Sequence, residues 1–135
     1  MSRGRAITQT GRKSLASHLR AMGEAAERAA RDDEFLVLKD GLAPLFEALD
    51  FTGYPADYER FQTATRQLLE GAFESAILGL IPDNATVSGH RIGRQMVTAT
   101  VALEGQQGYR TEAAASLALG WYIVFAYALA DLVDE

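Results

Sequence analysis

The sequence predicts an all-α protein: a five-segment helical bundle with an apolar C-terminal helix at its centre. Apolar residues recur at helical spacing over most of the chain, and no linker rich in proline, glycine or serine divides it. The uncharged run 113–130 suits a helix that is apolar on all sides, as at the centre of a bundle. We expect one helical domain over residues 12–135, preceded by a basic and flexible arm, residues 1–11.

The first two helical segments lie in the N-terminal half. The first helix is predicted over residues 12–31, where leucine and alanine recur three and four positions apart. The second segment, residues 34–49, has the same period, but Asp40, Gly41 and Pro44 interrupt it. Because proline in a helix interior costs roughly 3 kcal/mol, we expect two short helices or one kinked helix, with Pro44 in the first turn of the second piece.

The third helix is the clearest amphipathic segment and is predicted over residues 55–80. It follows a loop, residues 50–55, that contains glycine and proline. At about 100° per residue its apolar side chains fall on one face, and Arg60, Gln67 and Glu74 fall opposite. We therefore expect one long helix here.

Residues 87–104 fit either a helix or a strand. Ile92, Met96 and Leu103 step at helical spacing and suit a helix capped by Ser88. Residues 96–103 also have the β-branched content of a strand. No other segment is predicted to be a strand, so a single strand would have no partner, and we favour a helix.

The last helix is predicted over residues 111–133, with Thr111 as its cap. Its uncharged run of eighteen residues lies at the lower limit for a membrane span, and we favour a buried central helix. We interpret its aromatic cluster as core or as a subunit interface, with a small-molecule pocket as the alternative. The cluster consists of Trp121, Tyr122, Phe125 and Tyr127.

The composition excludes several chemistries. The chain has no cysteine, which excludes disulfides, thiolate zinc sites, iron–sulfur clusters and thiol catalysis. It has two histidines, His18 and His90. Neither histidine has a carboxylate or a second histidine three or four positions further on, so a helical metal site is unsupported. No nucleophile motif occurs, and we predict a protein that is not an enzyme and uses no cofactor or metal.

The net charge of −5 conceals an uneven distribution. Residues 1–31 hold seven arginines and lysines against two glutamates, whereas residues 32–59 hold eight acidic residues against one lysine. A basic arm can contact phosphate without reading a base sequence. The alternative that we favour is either internal pairing of the basic first helix with the acidic second segment or a solvated tail formed by the first dozen residues. The candidate contacts of the arm are Arg3, Arg5, Arg12 and Lys13.

A second basic patch lies at residues 88–94. If a helix begins at Ser88, its first turns carry His90, Arg91 and Arg94, close to backbone N–H groups that also attract an anion. These three residues are a candidate anion or nucleic-acid contact. Salt bridges with acidic neighbours are the favoured alternative, since the spacing matches no phosphate-loop motif.

These observations favour a non-enzymatic interaction or assembly protein, which binds itself or a protein partner through apolar helix faces and unequal charge patches. One alternative is a nucleic-acid-associated helical protein of viral coat or regulatory type, which uses the N-terminal arm and the patch at Arg91 and Arg94. Another is a bundle that binds an apolar small molecule or associates with a membrane. No apolar segment follows the basic N-terminus, so we expect a location in the cytoplasm or in a virus particle rather than secretion.

Overall fold

The helical prediction is confirmed for most of the chain, but the protein is not all-α. The computed structural model describes residues 9–92 and 96–134, and within them five α-helices accompany a three-stranded antiparallel sheet. A 3₁₀ turn (Arg31–Asp33) precedes the second helix. The elements are α1 (Gln9–Arg28), α2 (Glu34–Thr52), α3 (Tyr58–Leu69), α4 (Phe73–Leu78), β1 (Thr86–Ile92), β2 (Met96–Ala102), β3 (Tyr109–Ala114) and α5 (Leu117–Asp134).

The sheet occupies the region where we expected a helix. β1 and β2 pair in antiparallel register from Thr86 opposite Ala102 to Ile92 opposite Met96, so the helix predicted over residues 87–104 is wrong. β2 also pairs with β3 and is the central strand, which suits its β-branched residues. A strand over residues 96–103 was expected to lack partners. β1 and β3 were not recognised as strands, because they contain glycine or charged residues that are less common in strands.

One face of the sheet packs on α5. Val97, Ala99 and Val101 alternate along β2 and are buried on that face. Gly120 of α5 permits the close approach, because a Cβ built on it would lie 2.9 Å from the Cβ of Ala99. The opposite face carries polar and charged side chains, including the exposed Arg110 of β3.

α5 begins later than we expected. Thr111, the predicted cap, lies within β3, and the helix starts at Leu117. Ser116 caps it instead, since its Oγ accepts a hydrogen bond from the backbone N–H of Leu119 at 3.1 Å. The residues before this serine therefore lie outside the helix, and residues 109–114 pair as β3.

α2 continues through Pro44 rather than dividing into two short helices. Packing explains this continuity, because burial of a leucine side chain contributes about 1.5–3 kcal/mol and several such burials outweigh the cost of one proline. The leucines of α2 that are at most 1% exposed are Leu38, Leu42, Leu45 and Leu49.

The helix predicted over residues 55–80 is two helices. α3 ends at Leu69, and Gly71 has a φ of 82°, which favours glycine and turns the chain before α4. The backbone N–H of Ala72 donates to the carbonyl of Gln67 at 2.8 Å, which closes this turn. The break leaves α3 as a short helix beside α2 and α4.

α5 is the central helix, as the sequence predicts. It contacts α1, α2 and the sheet, and it is buried along most of its length. Gly23 of α1 lies so close to it that a Cβ there would be 2.7 Å from the Tyr127 ring. By length and composition α5 could cross a membrane, but most of its residues are enclosed by the rest of the described chain.

Candidate functional site

The aromatic cluster of α5 lies in the core. Tyr122 and Phe125 are fully buried, and Trp121 is nearly so. Both polar tips in this group have partners, because Trp121 Nε1 donates to the carbonyl of Ser88 at 3.1 Å and the Tyr122 hydroxyl donates to that of Gly41 at 3.1 Å. The cluster is thus used internally, to tie α5 to β1 and to α2.

Tyr127 lies at the edge of the same cluster and is only partly buried. Its hydroxyl donates to the carboxylate of Glu27 on α1. Burial, and then the hydrogen bond to Glu27, raise the pKa of Tyr127, and burial alone raises the pKa of Tyr122. Both tyrosines therefore hold their protons in the folded protein at neutral pH.

The structure describes two of the four candidate residues of the N-terminal arm, Arg12 and Lys13. Arg3 and Arg5 lie outside the described residues. Arg12 Nε donates to the carbonyl of Val133 at 2.9 Å, at the C-terminal end of α5, and its guanidinium lies 5.7 Å from the Phe51 ring centroid. Lys13 is exposed. Of the two candidates that the structure describes, Arg12 is therefore engaged within the fold.

The partners of Arg20 differ from the acidic segment that we expected for the first helix. Arg20 forms ion pairs with Asp134 at 2.7 Å and with Asp131 at 3.1 Å, both in the last turn of α5. The hydrogen bond to Asp134 is the main cause that raises the pKa of Arg20. Positive charge on α1 thus stabilises the C-terminal end of α5, where the helix dipole is negative.

The second basic patch lies on a strand. His90 and Arg91 are exposed side chains of β1, and Arg94 lies outside the described residues. Because residues 86–92 form a strand, the helix N-terminus predicted at Ser88 is wrong, and no helix N–H groups assist an anion there. The anion or nucleic-acid contact by His90 and Arg91 stays a prediction. On β3, Arg110 pairs with Glu112 at 3.2 Å.

Among the described residues, the two most exposed large hydrophobic side chains lie on α3, ahead of Leu36 on α2 and Leu78 on α4. Tyr58 is 73% exposed and Leu69 is 69% exposed. They are eleven positions apart, which is three turns, so they lie on one side of the helix. Phe61 and Thr65 continue the row between them and are partly buried. We call these four residues the α3 stripe.

The α3 stripe has a defined shape. It extends over about 16 Å of helix, and its side chains, with Gln62 and Arg66, line a shallow depression of about 320 Å³. The core-facing side of the same helix is formed by Ala64 and Leu68, which are at most 2% exposed. The stripe is therefore a second apolar surface that turns away from the core.

The helix that carries the stripe is held firmly. The Asp57 side chain caps α3 by accepting from the backbone N–H of Arg60 at 2.8 Å. The rings of Phe61 and Phe46 meet edge to face with centroids 5.0 Å apart, which ties α3 to α2. The exposed apolar side chains thus project from a rigid element rather than from a loop.

The sequence interpretation missed the α3 stripe because it assigned every apolar residue of 55–80 to one buried face. On a helical projection Tyr58 and Leu69 lie roughly 80–140° from the buried pair Ala64 and Leu68, beside the buried part of the apolar face. This offset was available in the sequence. The break at Gly71, which leaves α3 peripheral, gave no comparable signal.

A buried polar junction joins α2 to α5. Ser116 Oγ donates to the carboxylate of Glu34, the first residue of α2, and both side chains are under 10% exposed. The junction borders a cavity of about 300 Å³ that Arg31 and Glu74 also line. Since the serine caps α5 as well, we interpret this contact as structural.

Within residues 9–92 and 96–134, no three histidine, aspartate or glutamate side chains are grouped so that they could hold a metal ion. Comparison with protein families, with curated proteins and with solved structures finds no match to this chain.

Proposed function

We propose that this protein is a non-enzymatic interaction module that binds a protein partner through the α3 stripe. The observation that carries the proposal is the joint exposure of Tyr58 and Leu69 on one side of a capped helix. Single exposed apolar residues are ordinary, but a row of them on a rigid element is typical of a binding surface.

The chemistry of the stripe suits a protein partner. Tyr58 offers a large apolar ring with a hydroxyl at its tip, and tyrosine is among the residues that most often dominate binding energy at interfaces. The spacing of the row matches the ridges by which helices pack against one another. Polar residues such as Gln62 and Arg66 border it, as they do at the rim of an interface.

Site-specific photocrosslinking in cells tests this proposal. A photoreactive phenylalanine analogue would replace Leu69 in one strain and Ala21 in the matched control. Both positions are exposed, but Ala21 lies on α1 rather than on α3. We expect discrete protein adducts from position 69 and few from position 21.

Equal crosslinking at the two positions, or none at either, would contradict a binding role for the stripe. The identity of the adduct is read by mass spectrometry, so a second copy of this chain and a different protein are distinguished in the same experiment.

The nucleic-acid alternative is supported by the exposure of Lys13, His90 and Arg91. It predicts binding to duplex DNA at about 50 mM salt that weakens steeply as salt rises. Neutralising Arg3, Arg5 and Lys13 together would reduce that binding and its salt dependence. No detectable binding at low salt would remove this alternative.

A further inference from the structure

We infer that the partner of the α3 stripe is α3 of a second copy of this chain, packed antiparallel across a two-fold axis. This inference rests on the proposed function and names its partner. The arrangement follows from the order of apolar and charged residues along α3.

The apolar row is compatible with two-fold symmetry. If the axis passes between residues 63 and 64, Tyr58 of each copy lies level with Leu69 of the other. Phe61 and Thr65 then fill the middle of the contact from both sides. Each exposed end of the stripe is thus covered by the opposite end of the second copy, and this self-complementarity is what a two-fold interface requires.

The charges beside the stripe determine the direction of packing. Glu59 and Arg66 are both exposed and lie on the same flank of α3, about 80–100° from Tyr58. In the antiparallel arrangement Arg66 of one copy lies within about 3 Å, along the axis, of the level of Glu59 of the other. Two symmetry-related ion pairs can therefore close the same rim of the contact.

A parallel two-fold arrangement would instead set the flank with Glu59 and Arg66 against the opposite flank of the second copy, which carries the core-facing Leu68. Neither ion pair could then form, so charge complementarity selects the antiparallel arrangement. Glu70 lies one turn beyond Arg66 on the same helix. The rim thus offers each guanidinium one carboxylate from its own helix and one from the second copy.

The size of the stripe sets the expected strength. Stable interfaces bury about 1,200–2,000 Å² in total, and a contact of three helical turns lies at or below the low end of that range. We therefore expect a dimer with a dissociation constant on the order of micromolar or weaker. A net charge of −5 on each copy also opposes association, so moderate salt should not weaken the dimer strongly.

Charge reversal with reciprocal rescue tests the inference on the full chain. Sedimentation velocity over a range of concentrations would be measured for the wild type, Glu59→Arg, Arg66→Glu and the variant with both changes. Each single reversal places like charges together at two symmetric points, and we expect about a tenfold weaker dimer. The double variant restores opposite charges and should recover most of the affinity.

Arg28→Glu provides the matched control. Arg28 is exposed on α1, and its reversal changes the net charge as Arg66→Glu does, so the dimer should be unaffected. Tyr58→Ser together with Leu69→Ser should abolish dimerisation without unfolding the chain, since both side chains are exposed.

A dimer that is equally weakened by both single reversals and by the double variant would overturn the antiparallel arrangement. A chain that stays monomeric while position 69 crosslinks to another protein would overturn the second copy as partner and leave the proposed function intact. A monomeric chain with no crosslink at position 69 would overturn both.

Discussion

α5 and α3 are both rich in apolar residues, but they use them in opposite ways. α5 has apolar side chains on all sides, and the chain encloses most of them and gives Trp121 and Tyr122 internal hydrogen-bond partners. α3 buries one side and exposes another, with Tyr58 and Leu69 largely in solvent. The comparison shows that the density of apolar residues locates the core, whereas their direction relative to the core locates a binding surface.

Truncating one aromatic side chain on each helix should produce the largest difference in the free energy of unfolding between α5 and α3. Phe125 is fully buried, so Phe125→Ala should lower the free energy of unfolding by about 3–5 kcal/mol. Tyr58→Ala on α3 should change it by no more than about 0.5 kcal/mol. Denaturant unfolding of the two variants at low protein concentration measures both values. Similar losses in the two variants would break the distinction between core helix and binding helix.

Removing the N-terminal cap of each helix gives a second comparison of stability between α5 and α3. Ser116→Ala removes the cap of α5 and also the hydroxyl that donates to the buried Glu34 carboxylate. We expect a loss of about 2–3 kcal/mol, because a cap and a buried charged acceptor lose their partner together.

Asp57→Ala is the matched change on α3, where the cap is exposed and the loss should be about 1 kcal/mol. Thermal unfolding of the two alanine variants compares them directly. A larger effect at Asp57 than at Ser116 would contradict the structural role of the α2–α5 junction.

The tyrosines of α5 should make the protein sensitive to alkali. The raised pKa values of Tyr122 and Tyr127 mean that the folded state binds these protons more tightly than the unfolded chain, where tyrosine ionises near about pH 10. The contribution of these two tyrosines to the free energy of unfolding is complete below that pH. It is lost as the pH rises toward the pKa values of the folded state.

Unfolding free energies measured between about pH 8 and pH 11 should therefore fall above pH 10, and Tyr122→Phe should reduce the slope. The same variant should be less stable at pH 8, because the Gly41 carbonyl loses its donor. An unchanged slope in this variant would show that burial of Tyr122 does not govern the alkaline limit.

The smallest change in the free energy of unfolding is expected at the C-terminal end of α5. Arg20 pairs with Asp131 and Asp134 there, and all three side chains are more than a third exposed. Arg20→Ala should cost less than about 1 kcal/mol, and the cost should shrink as salt rises. Arg28→Ala on the same helix serves as the control in urea unfolding at low and high salt. A cost above that of Ser116→Ala would reverse the importance assigned to the buried and exposed contacts.

Much of the fold could be predicted because helical periodicity survives in a single sequence. The central position of α5 could be predicted from the uncharged run 113–130. A helix that is apolar on all sides is favoured where other elements of the bundle cover it. The strands could not be predicted with the same logic. β1 and β3 contain Gly89, Arg91, Arg110 and Glu112, and their strand character depends on pairing with β2 rather than on local preference.

The candidate site was harder to predict than the fold. The density of aromatic residues pointed to Trp121 and Tyr122, yet these have partners inside the chain. The α3 stripe depends on where the core lies relative to α3, and that is set by contacts such as Phe46 with Phe61, which are distant in sequence. Helical spacing alone identifies the side of a helix but not what covers it.

Hydrogen exchange at two protein concentrations, one below and one above the dissociation constant, tests most directly whether two copies pair through α3. The dimer through the α3 stripe predicts that amides of residues 58–69 exchange more slowly at the higher concentration. The amides of β1 and α5 should exchange at the same rate at both. Concentration-dependent protection in β1, or no change in α3, would contradict a dimer through the α3 stripe.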